Sequence, residues 1–222
     1  MLRRDYILVA IEEFAEVLAR ILGFTKEQQW QAAAATAGQE CERLVGVDLE
    51  KAVQMTDAEL FARLIEGEAT HMADTKVFML ATLFKTTGDA RAGERRVEES
   101  RQYYLKAMDL LLDALDRTAL DQRPDFAPTI ETLFVGLGDA PLPAKTHALL
   151  MRHYERMGEF GKAEDALFAI AELEPPGEEL LKFGTDFYDR LSKHSDAALA
   201  DGNLTRAEAE AGLAEFRARM KP

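Results

Sequence analysis

Apolar residues near the N-terminus fall at Ile7, Ile11, Phe14, Leu18 and Ile21, stepping by 4, 3, 4 and 3. That spacing is the seam of an amphipathic helix. Leu8, Ala15 and Leu22 widen the stripe beyond what a helix covered on one side needs. In "TKEQ", Thr25 and Gln28 have capping-box spacing, which predicts a second helix running through Trp30 and Ala32–Ala35 towards Val45. "TDAE" at Thr56–Glu59 predicts another capping box, opening a short helix through Leu60, Phe61, Leu64 and Ile65.

A long helical hairpin is expected next, with arms at Ala69–Thr87 and Arg95–Thr118 and "GDARAGE" as its turn. "DQRPDFAP" reads as a break, followed by a short helix near Thr129–Val135. "GLGDAPLP" is the strongest punctuation in the chain, placing a candidate sub-boundary at 136–143. Four helices are expected beyond it: Ala144–Met157, Phe160–Leu173, Glu178–Ala200 and Thr205–Met220. No segment alternates as a strand does, so the pattern predicts an all-α protein. Its domains are expected at 1–68, a helical region, and 69–222, a set of helical hairpins.

Composition agrees. Ala, Leu, Glu and Arg, which lose little rotamer freedom in helices, outnumber Val, Ile and Thr. The net charge of −13 is spread along the chain: 7 basic and 13 acidic residues in 1–68, 9 and 12 in 69–143, 11 and 15 in 144–222. Such a surface repels phosphate backbones, so nucleic acid is not an expected partner. The densest basic cluster, Arg91, Arg95, Arg96 and Arg101, interleaves with Glu94, Glu98 and Glu99 and predicts ion pairs on a solvated helix. Cys41 stands alone, which leaves no disulfide framework and no CxxC metal or redox pair. The opening "MLRRDYILVAIEEF" has a basic start, but Asp5, Glu12 and Glu13 break its apolar run and no cleavage site follows. With no membrane-length apolar stretch, a cytoplasmic protein is expected.

The stretch "HYERMGEFGKAEDALFAIAELEP" carries the clearest motif. Leu150 and Tyr154 supply a large apolar residue and an aromatic, Gly158 a turn, Ala163 a small residue where two helices cross, and Pro175 a stop. In these residues the segment resembles a tetratricopeptide repeat. Met151 and Ile170 are bulkier than that pattern's usual small residues. Two longer segments fit after one insertion each. Leu80, Ala81, Phe84 and Gly88 pair with Tyr104 and Ala107 across seven extra residues; Phe183, Gly184 and Phe187 pair with Gly202, Ala207 and Ala214 across eleven. Both insertions are near-whole numbers of helical turns, so packing faces are kept. An irregular α-bundle is the alternative architecture. The overall layout, with its "DYIL..IE" opening helix and degenerate repeat tail, is also similar to a bacterial family of unknown function, which implies no activity.

The tetratricopeptide resemblance implies a right-handed superhelix and a non-catalytic protein that binds a peptide on the concave face of its first helices. That face would present Phe78, Lys85, Lys145, Arg152, Arg156, Lys182 and Tyr188, which suits an acidic peptide or a C-terminal carboxylate. The family's carboxylate clamp uses asparagines, and the single asparagine here, Asn203, lies in a turn. No cofactor is called for. An enzyme or metal-binding bundle is the second reading: "EATH" puts Glu68 and His71 on one helix face, as in di-iron bundles, but no second Glu-x-x-His exists to complete such a site. His147 and His153, six apart, point to different faces, and no nucleophile elbow or phosphate loop is present. The third reading is a structural homodimer: the wide stripe of residues 5–22 packs either into its own chain's groove or against the same helix of a second subunit.

Overall fold

The architecture comes from a computed structural model that describes residues 2–66, 70–119 and 123–221, with side chains for 7–66, 73–119 and 123–221. Among the described residues there are twelve helices and no strand, so the protein is all-α. The chain divides into two compact units, Met1–Ala140 and Pro141–Pro222.

The first unit contains α1 (Leu2–Lys26), α2 (Trp30–Val45), α3 (Leu49–Gln54), α4 (Asp57–Ile65), α5 (Thr70–Gly93), α6 (Val97–Arg117) and α7 (Ile130–Leu137). α5 is its centre: α6 returns along it, and α1, α2, α4 and α7 also pack on it. Every residue from Val77 to Phe84 is at most 4% exposed, which is why this stretch is apolar all round instead of striped. Its buried hydroxyls are satisfied locally: Thr82 donates to the Phe78 carbonyl at 2.7 Å and Thr87 to that of Leu83 at 2.8 Å. Ser100 of α6 donates to the Gly88 carbonyl at 2.8 Å and ties the two arms together.

Three local expectations are corrected. Thr25 does not cap α2: it lies inside α1, where its hydroxyl donates to the Ile21 carbonyl at 3.0 Å, and α2 starts only at Trp30 after Gln28 takes φ 59°. "GDARAGE" is not the hairpin turn, because α5 runs on to Gly93 and the chain reverses at Arg95, at φ 63°. Gly93 is needed there for closeness: a Cβ would stand 2.4 Å from the Trp30 indole. The box at Thr56 and Glu59 forms as the spacing predicts, and Thr129 and Thr132 cap α7 in the same reciprocal way.

The second unit contains α8 (Ala144–Met157), α9 (Phe160–Leu173), α10 (Glu178–Leu191), α11 (Asp196–Asp201) and α12 (Arg206–Arg219). α8 and α9 form one hairpin, closed by Gly158 at φ 75°, where the left-handed conformation suits glycine. α10 and α12 form another, and α9 lies against both. The third correction falls here: the helix expected over Glu178–Ala200 is two. Ser195 interrupts it by capping α11, accepting from the Ala198 N–H at 3.2 Å. Gly184 lets α10 and α12 touch, since a Cβ there would stand 2.2 Å from the Phe216 ring.

Candidate functional site

α8 carries Lys145, Arg152 and Arg156 on one stripe, separated by seven and four residues, and all three are exposed. Lys182 is exposed on α10. The two helices are joined by a bidentate pair in which Arg190 donates to the two Glu155 carboxylate oxygens at 2.6 and 2.8 Å. Tyr188 does not join this surface. It is 4% exposed and donates its hydroxyl to Glu164 of α9 at 2.6 Å. Burial holds the Glu164 carboxyl above its usual range, despite the tyrosine's donated bond, and burial with that carboxylate pushes the Tyr188 phenol up. His147 is half-buried on α8, and loss of solvent lowers its pKa. His153 stacks edge-on against Tyr154 at 5.8 Å, and the Lys162 ammonium lies 5.3 Å from the centre of the Tyr154 ring.

The other two expected peptide contacts belong to the first unit. Phe78 is 1% exposed, a core residue of α5. Lys85 is half-buried and pairs with Asp89 at 2.7 Å, whose other oxygen accepts the Tyr104 hydroxyl at 2.7 Å. Burial and the Asp89 carboxylate together raise the Tyr104 phenol. The candidate metal pair lies outside the described residues, Glu68 wholly and His71 for its side chain. Among the described residues, no group of three or more His, Cys, Asp or Glu is placed to hold a metal.

Sequence reasoning missed a cleft of about 500 Å³ between α2, α3, α5 and α6. Ala34, Ala35 and Gly38 leave it open, Asp48, Leu49 and Glu50 form one wall, and Thr87, Arg91 and Tyr103 the other. Arg91 is its central charge, with Glu94 at 2.9 Å and Glu50 and Glu99 at 3.8 Å. The expected ion pairing is present, Arg96 to Glu99 and Arg101 to Glu98 included, but Arg91 is only 13% exposed and so is not on a solvated face. Its three carboxylates outnumber it, which turns the cleft away from anions. The run of small residues at Ala32–Ala35, followed by Gly38, was the signal that could have located this opening.

Cys41 is fully buried, and burial together with Asp48, Glu40 and Glu42 pushes its thiol up to about 12. A thiol so protonated is a poor nucleophile and a poor metal ligand. None of the described helices is long and apolar enough to cross a membrane. No curated protein and no solved structure matches the chain. A family model matches residues 1–221, nearly the whole length, and the protein therefore belongs to a family of unknown function (DUF6483).

Proposed function

We propose that this is a non-catalytic helical-repeat protein whose second unit docks a partner protein through α8 and α10. The observation that carries the reading is the exposed stripe of Lys145, Arg152 and Arg156 on α8, in a region with 11 basic and 15 acidic residues. Three cations on one helical stripe match carboxylates on an acidic peptide segment. Any surface ion pair these residues now hold is worth at most about 1 kcal/mol, so an incoming carboxylate competes readily. The tetratricopeptide likeness belongs to the same reading. Gly158 in the left-handed turn, Ala163 fully buried, and α9 lying against both α10 and α12 support it. Phe78 and Tyr188, being buried, play no part as ligand contacts in this version.

The test is a cross-linked pull-down comparing wild type with Arg152→Glu/Arg156→Glu. Both residues are exposed, so the variant is expected to fold as wild type does while losing an acidic partner. Identical partner lists from the two baits would sink the proposal.

A further inference from the structure

The cleft beside Arg91 adjoins a second one. The first, of about 500 Å³, and another of about 460 Å³ at Trp30 and Glu94 share Gln31 as a lining residue. The Arg91–Glu94 pair, at 2.9 Å, contributes one partner to each. Both volumes fall within the roughly 300–1,000 Å³ of small-molecule sites. Each cleft holds an aromatic residue, Tyr103 in the first and Trp30 in the second, together with amide and carboxylate groups.

Hydrogen bonding in the first cleft is incomplete. Arg91 reaches Glu94, but Glu50 and Glu99 stand at 3.8 Å, beyond hydrogen-bond length, and its buried Nε has no acceptor. Tyr103 is 4% exposed and lies beside Arg91, and its O–H has no acceptor among the described residues. A group that closes the gap between Arg91 and Glu50 must accept from the guanidinium and donate to the carboxylate. A hydroxyl does both from one oxygen. The carboxylates around Arg91 keep out an anion, and a cation would leave the donors of Arg91 and Tyr103 unmet. A neutral, hydroxyl-rich molecule meets every condition.

We propose that the two clefts bind a neutral sugar chain, one ring in each. Vicinal hydroxyls of the first ring accept from Arg91 and donate to Glu50, and two oxygens matched to a planar fork fix the ring's orientation. The Tyr103 hydroxyl donates to a further sugar oxygen. Leu49, Ala34 and Ala35 supply the apolar wall for the ring's C–H edges. In the second cleft the Trp30 indole, seated against Gly93, offers an apolar surface to the C–H face of the next ring. Gln28 and Gln31 bring amides that both donate and accept. The proposal is independent of the α8 surface.

The test is saturation-transfer difference NMR on the full chain at millimolar sugar concentration. The probes are glucose, galactose, mannose and N-acetylglucosamine, a disaccharide of each, and the 6-phosphate of each. At least one neutral monosaccharide should receive saturation, its disaccharide should receive more, and its phosphate none. Ala35→Trp should abolish the signal with unchanged far-UV circular dichroism, since Ala35 is exposed and lines the first cleft. Gly38→Leu fills the same space from a second position, where the nearest atom to a new Cβ is Leu49 Cδ1 at 3.9 Å. Trp30→Ala should bring the disaccharide down to the level of the monosaccharide. Silence from every neutral sugar overturns the proposal. So does an equal signal from the phosphate, a signal that persists in either filled variant, or a disaccharide advantage that survives Trp30→Ala.

Discussion

Gly161 donates its backbone N–H to the Gly202 carbonyl at 2.9 Å, fastening the first turn of α9 to the turn that precedes α12. The contact is close because neither residue has a side chain. A Cβ on Gly202 would stand 2.4 Å from the Gly158 carbonyl oxygen and 2.4 Å from the Phe160 ring, and one on Gly161 would stand 2.7 Å from the Asn203 carbonyl oxygen.

Gly202→Ala and Gly158→Ala therefore fail by different routes. At Gly202 a methyl meets a backbone oxygen that cannot move without opening the hairpin, and overpacking of that kind costs about 2–3 kcal/mol. At Gly158 nothing lies within 4 Å of the new methyl, and the cost is the positive φ alone, about 1 kcal/mol. Urea titrations of the two variants should show Gly202→Ala with the larger fall in midpoint. Equal falls would mean that the turn-to-turn contact contributes nothing beyond local geometry.

Glu164 gives the second unit a pH-dependent contribution of known sign. Burial raises its carboxyl pKa in the folded state, so the folded chain holds the proton more tightly than the unfolded chain does. Between the unfolded value and the raised folded value, the folded state binds more protons, and this contribution falls as pH rises through that window. Glu164→Gln keeps an oxygen to accept the Tyr188 hydroxyl and removes the titration. Stability measured from pH 4 to 7 should fall more steeply for wild type than for the variant as pH increases. Parallel curves would contradict the assignment.

Cys41 should be silent in the native state. Its side chain is fully buried and its thiol is pushed up to about 12, so almost no thiolate exists at neutral pH and no reagent reaches it. Ellman's reagent should release about one equivalent of chromophore per chain after denaturation and almost none before it, with one cysteine in the sequence. Rapid native labelling would show that α2 opens locally.

Much of the fold was readable because its signals are local. Glycine in a left-handed turn, a capping pair three residues apart and a 3–4 apolar step each act over one or two helical turns, and α8, α9 and the Thr56 cap follow them. The misses came from tertiary contacts. Thr25 has capping chemistry, yet continuing α1 supplied the Ile21 carbonyl as a partner. Gly88 reads as a turn, yet the ring of Tyr104 stands 3.1 Å from where its Cβ would be, which makes it a packing glycine inside α5. Phe78 and Tyr188 show the same limit for the candidate site. Helical phase puts a residue on a face but does not say whether another helix covers that face. Arg91 is the converse, a residue whose neighbours in sequence indicate a solvated ion pair and whose distant neighbours, Glu50 and Tyr103, enclose it.

The Arg190–Glu155 pair separates stability from binding on the proposed docking face. Arg190 is 45% exposed and Glu155 16%, and a pair partly in water is worth about 0–1 kcal/mol after ordering and screening. Arg190→Ala should therefore change the melting temperature little. It leaves Glu155 without this partner, one turn from Arg152 and adjacent to Arg156, so that its carboxylate competes for the cations meant to receive an acidic segment. Partner capture should weaken in the same direction as with Arg152→Glu/Arg156→Glu, and Arg190→Ala/Glu155→Gln should restore it by removing the exposed carboxylate. Loss of capture with recovery in the double variant means that α8 recognises charge. Capture unaffected by either change would place the partner on a different surface.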